Sequence, residues 1–182
     1  MGDCEEKITL SALFQNKIME VSDHVFYIPD YISQQDEKTY LDKVYQAPKP
    51  KWTVLKERRL QNWGGLPSQV TGKMMQEPLP AWLSGLSKAI HSTLLAPAQE
   101  GLVESSLQLF SEFNHVLVNE YLPGQGIFAH EDGPFYHPMV ATLSLGSHTI
   151  INYRPKHSAL ETDPSLKGFF ALHRTSKLSG DV

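Results

Sequence analysis

His130 and Asp132 stand two apart in Phe128-Ala129-His130-Glu131-Asp132-Gly133. Residues two apart in an extended segment project to the same face, so the imidazole and the carboxylate can share one metal ion while Glu131 points away. A neutral imidazole paired with a carboxylate suits a divalent ion that keeps coordination positions open, as in non-haem Fe(II) oxygenases built on two histidines and one carboxylate. Eight His and eight Asp in 182 residues yield a His-x-Asp by chance about one time in three, so the pair alone is a weak signal. Standing alone, it reads more plainly as a solvated strand end or a hydrogen-bonded couple.

The residues that must position the pair lie just upstream. His115, Leu117, Asn119 and Tyr121 alternate with Val116, Val118 and Glu120, the period of two expected of a β-strand. Asn119 and Tyr121 therefore share a strand face, where an amide and a phenol can hydrogen-bond a carboxylate without adding competing charge. The alternative for Tyr121 is a core aromatic whose hydroxyl happens to find a partner. Pro123-Gly124 and Gly126 supply a fixed φ and a permissive backbone for a reversal. A second strand is expected to follow and to end in His130-Glu131-Asp132.

The longer string, Asn119-x-Tyr121-x-Pro123-Gly124 followed by His130-x-Asp132, resembles the AlkB family of Fe(II)- and 2-oxoglutarate-dependent dioxygenases. Ala47-Pro48-Lys49-Pro50-Lys51-Trp52, Leu60-Gln61-Asn62-Trp63-Gly64-Gly65-Leu66-Pro67 and Leu143-Ser144-Leu145-Gly146-Ser147-His148-Thr149 are similar to one mammalian branch of that family. The resemblance runs from about Val25 to Pro155. It implies that His130 and Asp132 are two of three iron ligands. It implies also that Asn119 and Tyr121 contact 2-oxoglutarate, with Glu120 passing its backbone across the same pocket. The implied reaction is oxidative hydroxylation or demethylation, commonly on a nucleobase that is single-stranded or flipped from its stack. The implied architecture is α+β, with a double-stranded β-helix (jelly-roll) core and supporting N-terminal helices.

In the family a later strand delivers the third ligand, a histidine, and arginines follow it to clamp the cosubstrate carboxylate through bidentate pairing. No matching segment follows Asp132. His137 lies close by in a Pro-bounded loop, His148 follows a hairpin turn, and His157 sits in a polar loop. His173, on a later strand beside Arg174, is the best remaining candidate. The simplest account is a jelly roll incomplete at its C-terminal end, which predicts weak iron binding, reduced stability and little turnover. The rival is a catalytically impaired jelly-roll module that recognises nucleic acid or protein. A zinc hydrolase using His130 and Asp132 has no His-Glu-x-x-His or paired cysteines to support it.

The rest of the chain reads as scaffold. Val25-Phe26-Tyr27-Ile28 is a short strand stopped by Pro29-Asp30. Ser33 caps a helix, with Asp36 three residues on and Tyr40, Leu41, Val44 and Tyr45 as its apolar stripe, ending near Gln46 before Pro48 and Pro50. Over residues 49–59, Lys49, Lys51, Lys56, Arg58 and Arg59 meet one acid, Glu57. Basic residues interleaved with aromatics can hold phosphates and stack on a base. Lys51, Trp52, Arg58, Arg59 and Trp63 are thus expected near a nucleic-acid groove, a solvated strand being the alternative. Residues 72–80 read as loop. Pro80 opens a helix with Trp82, Leu83, Leu86, Ala89 and Ile90 on one face, ending near Leu94. Residues 140–145 and 148–153 read as two strands pivoting on Gly146-Ser147, and 168–173 as a last strand.

Composition sets outer bounds. A length of 182 residues suggests one domain over 21–173, with 1–20 a leading segment and 174–182 a polar tail. A net charge of −4 gives no global electrostatic case for nucleic acid, so any such contact needs a local patch. One cysteine, Cys4, rules out a disulfide within the chain and fits a reducing compartment. No apolar run approaches the ~20 residues needed to span a bilayer. Met1 to Glu6 lacks the apolar core of a signal peptide. The expectation is a cytoplasmic or nuclear protein.

Overall fold

The structure, a computed structural model, describes residues 25–68, 70–99, 112–133, 136–137, 139–152 and 169–173. The expected leading segment, the polar tail and His157 lie outside them. The elements are β1 (Val25–Pro29), α1 (Gln34–Tyr45), β2 (Trp52–Leu55), β3 (Arg58–Trp63), β4 (Gly65–Ser68), β5 (Lys73–Gln76), α2 (Ala81–Gln99), β6 (Val116–Glu120), β7 (Val140–Ser144) and β8 (Phe169–His173). Helices and small sheets together make this an α+β chain. Among the described residues, no helix is long and apolar enough to cross a membrane. The chain divides into two compact units, Met1–Leu41 with Pro138–Val182, and Asp42–His137.

In the first unit β1, β8 and β7 form a parallel sheet in that order, with Val25 and Val140 both opposite Phe169. The run Phe169-Phe170-Ala171-Leu172 is continuously apolar, which suits the middle strand of a parallel sheet. Val25 and Ile28 of β1 are buried. α1 starts as its sequence dictates: the Ser33 hydroxyl accepts from the Asp36 amide at 3.1 Å and donates to the Asp36 carboxylate at 2.6 Å. Of the expected strand over 148–153, the described residues 148–152 carry none, and β7 pairs with β8. A parallel partner is reached only by a crossover of a dozen or more residues, which a hairpin reading of Gly146-Ser147 could not anticipate. The amide of Gly146 is given to the Glu37 carboxylate of α1 at 2.8 Å rather than to a ladder.

The second unit carries the candidate site. β2 and β3 form a hairpin across Lys56-Glu57, and β6 pairs antiparallel with β3, giving the order β2-β3-β6. Register places Trp52, Val54, Arg59, Gln61, Trp63, Val116, Val118 and Glu120 on one face. Thr53, Leu55, Arg58, Leu60, Asn62, Leu117 and Asn119 occupy the other. The last turn of α1 packs on the first of these faces: the fully buried Gln61 amide donates to the Val44 carbonyl at 2.9 Å and accepts from the Trp63 indole at 3.0 Å. From α2, Trp82 meets Trp63 edge-on at 6.1 Å. Leu83 and Ile90 are buried, as the helical period required, and so is Ser87, whose hydroxyl donates to the Phe113 carbonyl at 2.5 Å. Ala89, expected on the same face, is exposed, and α2 continues past Leu94 to Gln99.

Residues 72–80, expected as loop, contain β5, which pairs with β4. Pro67 lies opposite Met74 in this two-stranded hairpin, an edge position that tolerates a missing amide donor. Gly64 and Gly65 make the sharp change of direction between β3 and β4, with φ of 89° and 129°. A Cβ on Gly64 would fall 1.9 Å from the Asn114 carbonyl oxygen, so only glycine lets the chain ahead of β6 come this close.

Candidate metal and small-anion site

β6 sets the floor. Asn119 shares its face with Leu60 opposite and Arg58 beyond, and Tyr121 follows at the same parity just past the strand. His115 precedes the strand at that parity too. The turn predicted at Pro123-Gly124 is present, with the Gln125 amide donating to the Leu122 carbonyl at 2.9 Å and Gly124 at φ 83°. The expected second strand is not: residues 125–133 run on without a ladder. One backbone bond, from the Gly126 amide to the Glu57 carbonyl at 3.3 Å, ties the start of this segment to the β2–β3 turn. At its other end the Asp132 carboxylate acts on the His115 ring, ahead of β6. The segment is thus a strap from the β2–β3 turn towards His115, bent at Ala129.

Along that strap, His130 Nδ1 contacts the Phe128 carbonyl at 2.8 Å. Donation there fixes the tautomer and leaves the Nε2 lone pair free, the orientation that backbone carbonyls impose on ligating histidines. Nε2 lies 3.9 Å from the Asp132 carboxylate, with both side chains half exposed. Bonds of ~2.1 Å to one cation put cis donors about 3 Å apart, so closure by about an ångström seats a shared ion. The structure thus brings His130 and Asp132 together without the strand expected to hold them. Among the described residues, no three His, Cys, Asp or Glu side chains converge as a metal site. His173 ends β8 in the other unit, His148 follows β7 there, and His137 is exposed in a loop of the second unit.

The floor is short of hydrogen-bond partners. Among the described residues, three buried side-chain atoms lack one: Arg58 Nε, His115 Nε2 and Asn119 Oδ1. All three residues carry the same strand parity. Buried polar groups are paired as a rule, so three orphans over one face mark a surface made to meet another polar group. Arg58 Nε is a donor and Asn119 Oδ1 an acceptor, so the face offers both kinds of hydrogen bond to a polar ligand. Burial raises the Tyr121 phenol pKa, and Arg58 draws it partly back. Burial likewise lowers that of His115, against a pull upward from Asp132. Sequence reasoning left His115 out of the site, although its parity with Asn119 and Tyr121 was the available signal.

Glu120 does more than lend its backbone. On the opposite face its carboxylate receives both Arg59 Nε and Arg59 Nη2, the latter at 2.8 Å, and the Tyr45 hydroxyl at 2.7 Å. These bonds hold the Glu120 carboxyl below its usual range, the guanidinium contributing most, and they raise the Tyr45 phenol. Arg59 also stacks over Trp52 at 4.1 Å, and Lys51 over Trp63 at 4.2 Å. The five residues expected around a nucleic-acid groove therefore do not share a surface. Arg59, Trp52, Trp63 and Lys51 are engaged with one another and with Glu120, while Arg58 faces the other way.

No family model matches the chain. Over 141 residues it is 49% identical to a Danio rerio protein named "Probable RNA/DNA demethylase ALKBH6", a match taking in 76% of this chain and 53% of that protein. The chain is AlkB-like. This relative belongs to the branch that residues 47–52, 60–67 and 143–149 resemble. A second relative is 24% identical over 162 residues, covering 84% of this chain and 24% of the protein: the Xenopus tropicalis tRNA (carboxymethyluridine(34)-5-O)-methyltransferase alkbh8. The chain spans about half the length of the first relative and about a quarter of the second.

Proposed function

We propose that this chain is the iron- and cosubstrate-binding part of an Fe(II)- and 2-oxoglutarate-dependent dioxygenase that removes or hydroxylates alkyl groups on nucleic acid. The observation that supports the reading is the strap: His130, its tautomer fixed by the Phe128 carbonyl, stands 3.9 Å from Asp132, whose charge acts on His115, at the strand parity of Asn119 and Tyr121. His130 Nε2 and the Asp132 carboxylate would hold the iron. Asn119 and Tyr121 would hydrogen-bond the cosubstrate, with the Glu120 backbone alongside. When bound, iron and 2-oxoglutarate supply the oxidising chemistry, and the protein supplies position. A jelly-roll core is part of the proposal, on the strength of the resemblance. The name of the Danio rerio relative supports nucleic acid as the substrate class.

Among the described residues only two ligands converge. This favours a second reading, a binding module of the same outline without turnover. Succinate formation from 2-oxoglutarate, measured with iron, ascorbate and a methylated single-stranded oligonucleotide, separates the two. Turnover that disappears with Asp132→Ala supports the enzyme. Metal and 2-oxoglutarate binding without succinate supports the module, and absence of both binding and turnover rejects each.

A further inference from the structure

We infer that Phe128 is a stacking platform for a nucleobase, with Lys56 and Arg58 beside it holding backbone phosphates of the same strand. The inference rests on nucleic acid as the substrate class proposed above and gives that substrate a contact surface. The β2–β3 turn and the strap, joined by the bond from the Gly126 amide to the Glu57 carbonyl, line a cleft of about 210 Å³. Leu55, Ile127 and Phe128 supply its apolar lining, and Lys56, Glu57 and Arg58 its charges. That volume is below the ~300–1,000 Å³ that enclose a whole small ligand, and suits one part of a longer chain.

Phe128 is 88% exposed, and Leu55 and Ile127 are exposed as well. Single apolar side chains at a surface are ordinary, but three around one cleft form a patch made to be covered. The charges name what covers it. Two cations against one acid stand here in a chain whose net charge is −4, which is the local positive patch a polyanion needs. Lys56 pairs with Glu57 at 3.8 Å while 93% exposed, a contact too weak to withhold it from a phosphate. Arg58 Nε is buried with no partner among the described residues. The other aromatics of this sheet are taken, Trp52 by Arg59 and Trp63 by Lys51. A free aromatic ring beside two cations can hold an unpaired strand, the ring meeting a base face and the cations its backbone. Phe128 also stands two residues before His130, whose ring its carbonyl orients. A base stacked on Phe128 is therefore the neighbour of a base presented to His130 and Asp132.

The test is fluorescence anisotropy of the full chain with three labelled single strands of equal length: thymidine, uridine and abasic. Wild type is expected to bind a base-bearing strand more tightly than the abasic one, and the strand it prefers names the nucleic acid. Phe128→Ala should cut that preference by about 5- to 100-fold, the range of one stacked base, and leave abasic binding unchanged. A merely structural role would weaken all three strands alike. Phe128→Trp should keep the preference, and Phe128→Leu, apolar but without a ring face, should lose it. Lys56→Gln and Arg58→Gln should each lower the salt slope by about 0.7 on every strand, and Lys56→Gln carries that comparison if Arg58→Gln does not fold. A base preference unchanged in Phe128→Ala, an equal loss on all strands, or a salt slope unchanged in Lys56→Gln overturns this inference alone. Self-association that Phe128→Ala abolishes while strand binding persists would assign the patch to a second copy of the chain, and overturns it too. Failure of wild type to bind any strand overturns it together with nucleic acid as the substrate class.

Discussion

Glu120→Gln tests how the floor of the site is kept in register. The wild-type carboxylate accepts from Arg59 through two nitrogens and from the Tyr45 hydroxyl, joining β3, β6 and the end of α1. Hydrogen bonds to a charged group contribute ~1.5–3 kcal/mol each when well sheltered. Here the Arg59 side chain is 39% exposed and that of Glu120 19%, so solvent screening brings the whole arrangement down to about 1–2 kcal/mol. For a chain of this size that corresponds to a Tm lower by about 2–8 °C. The pH dependence has a definite sign. The folded carboxyl titrates below its unfolded value of 4.5. Its contribution is therefore complete above pH 4.5 and fades as pH falls through the folded pKa. Thermal melts of the two proteins, followed by circular dichroism from pH 7 down to pH 3, should start apart and converge on acidification. Equal Tm values at pH 7, or a gap that widens on acidification, would refute the reasoning.

Other substitutions probe other links. Gly64→Ala places a methyl against the Asn114 carbonyl at a φ of 89°, and should lower unfolding free energy by at least about 2 kcal/mol in urea titration. A change below 0.5 kcal/mol would mean the close approach is not needed. Ser33→Ala removes the N-cap of α1 and should cost about 1 kcal/mol, seen as a Tm lower by about 2–4 °C. Because Glu120 already neutralises Arg59, Arg59→Gln should change the salt slope of nucleic-acid binding by much less than one phosphate contact. A slope reduced by about one would put Arg59 on the nucleic acid.

What could be read from the sequence was local. The Ser33-x-x-Asp36 cap, the alternation of β6 and the Pro123-Gly124 turn each lie within a few residues, and each formed where expected. What could not be read depended on distant partners. β8 pairs with β1 and β7 through parallel contacts far apart in sequence, so nothing within 140–153 signalled that residues 148–152 would carry no strand. The strap carrying His130 and Asp132 had the period of a strand but no neighbour to complete a ladder. Its ties include a backbone bond to Glu57 and a histidine turned onto its own backbone. The basic run over 49–59 looked like one surface, yet pairing sends Arg58 and Arg59 to opposite faces. Charge alone could not tell which of them Glu120 would claim.

The central claim is that one strap presents an imidazole and a carboxylate to a common divalent ion, above a floor that binds a small dicarboxylate. Anaerobic titration of Fe(II) into wild type, His130→Gln and Asp132→Asn, with and without 2-oxoglutarate, tests it most directly. The account predicts that each substitution weakens metal binding at least ~10-fold and removes any gain in metal affinity that 2-oxoglutarate gives the wild type. Iron affinity unchanged in both variants, or insensitive to 2-oxoglutarate in the wild type, would contradict it.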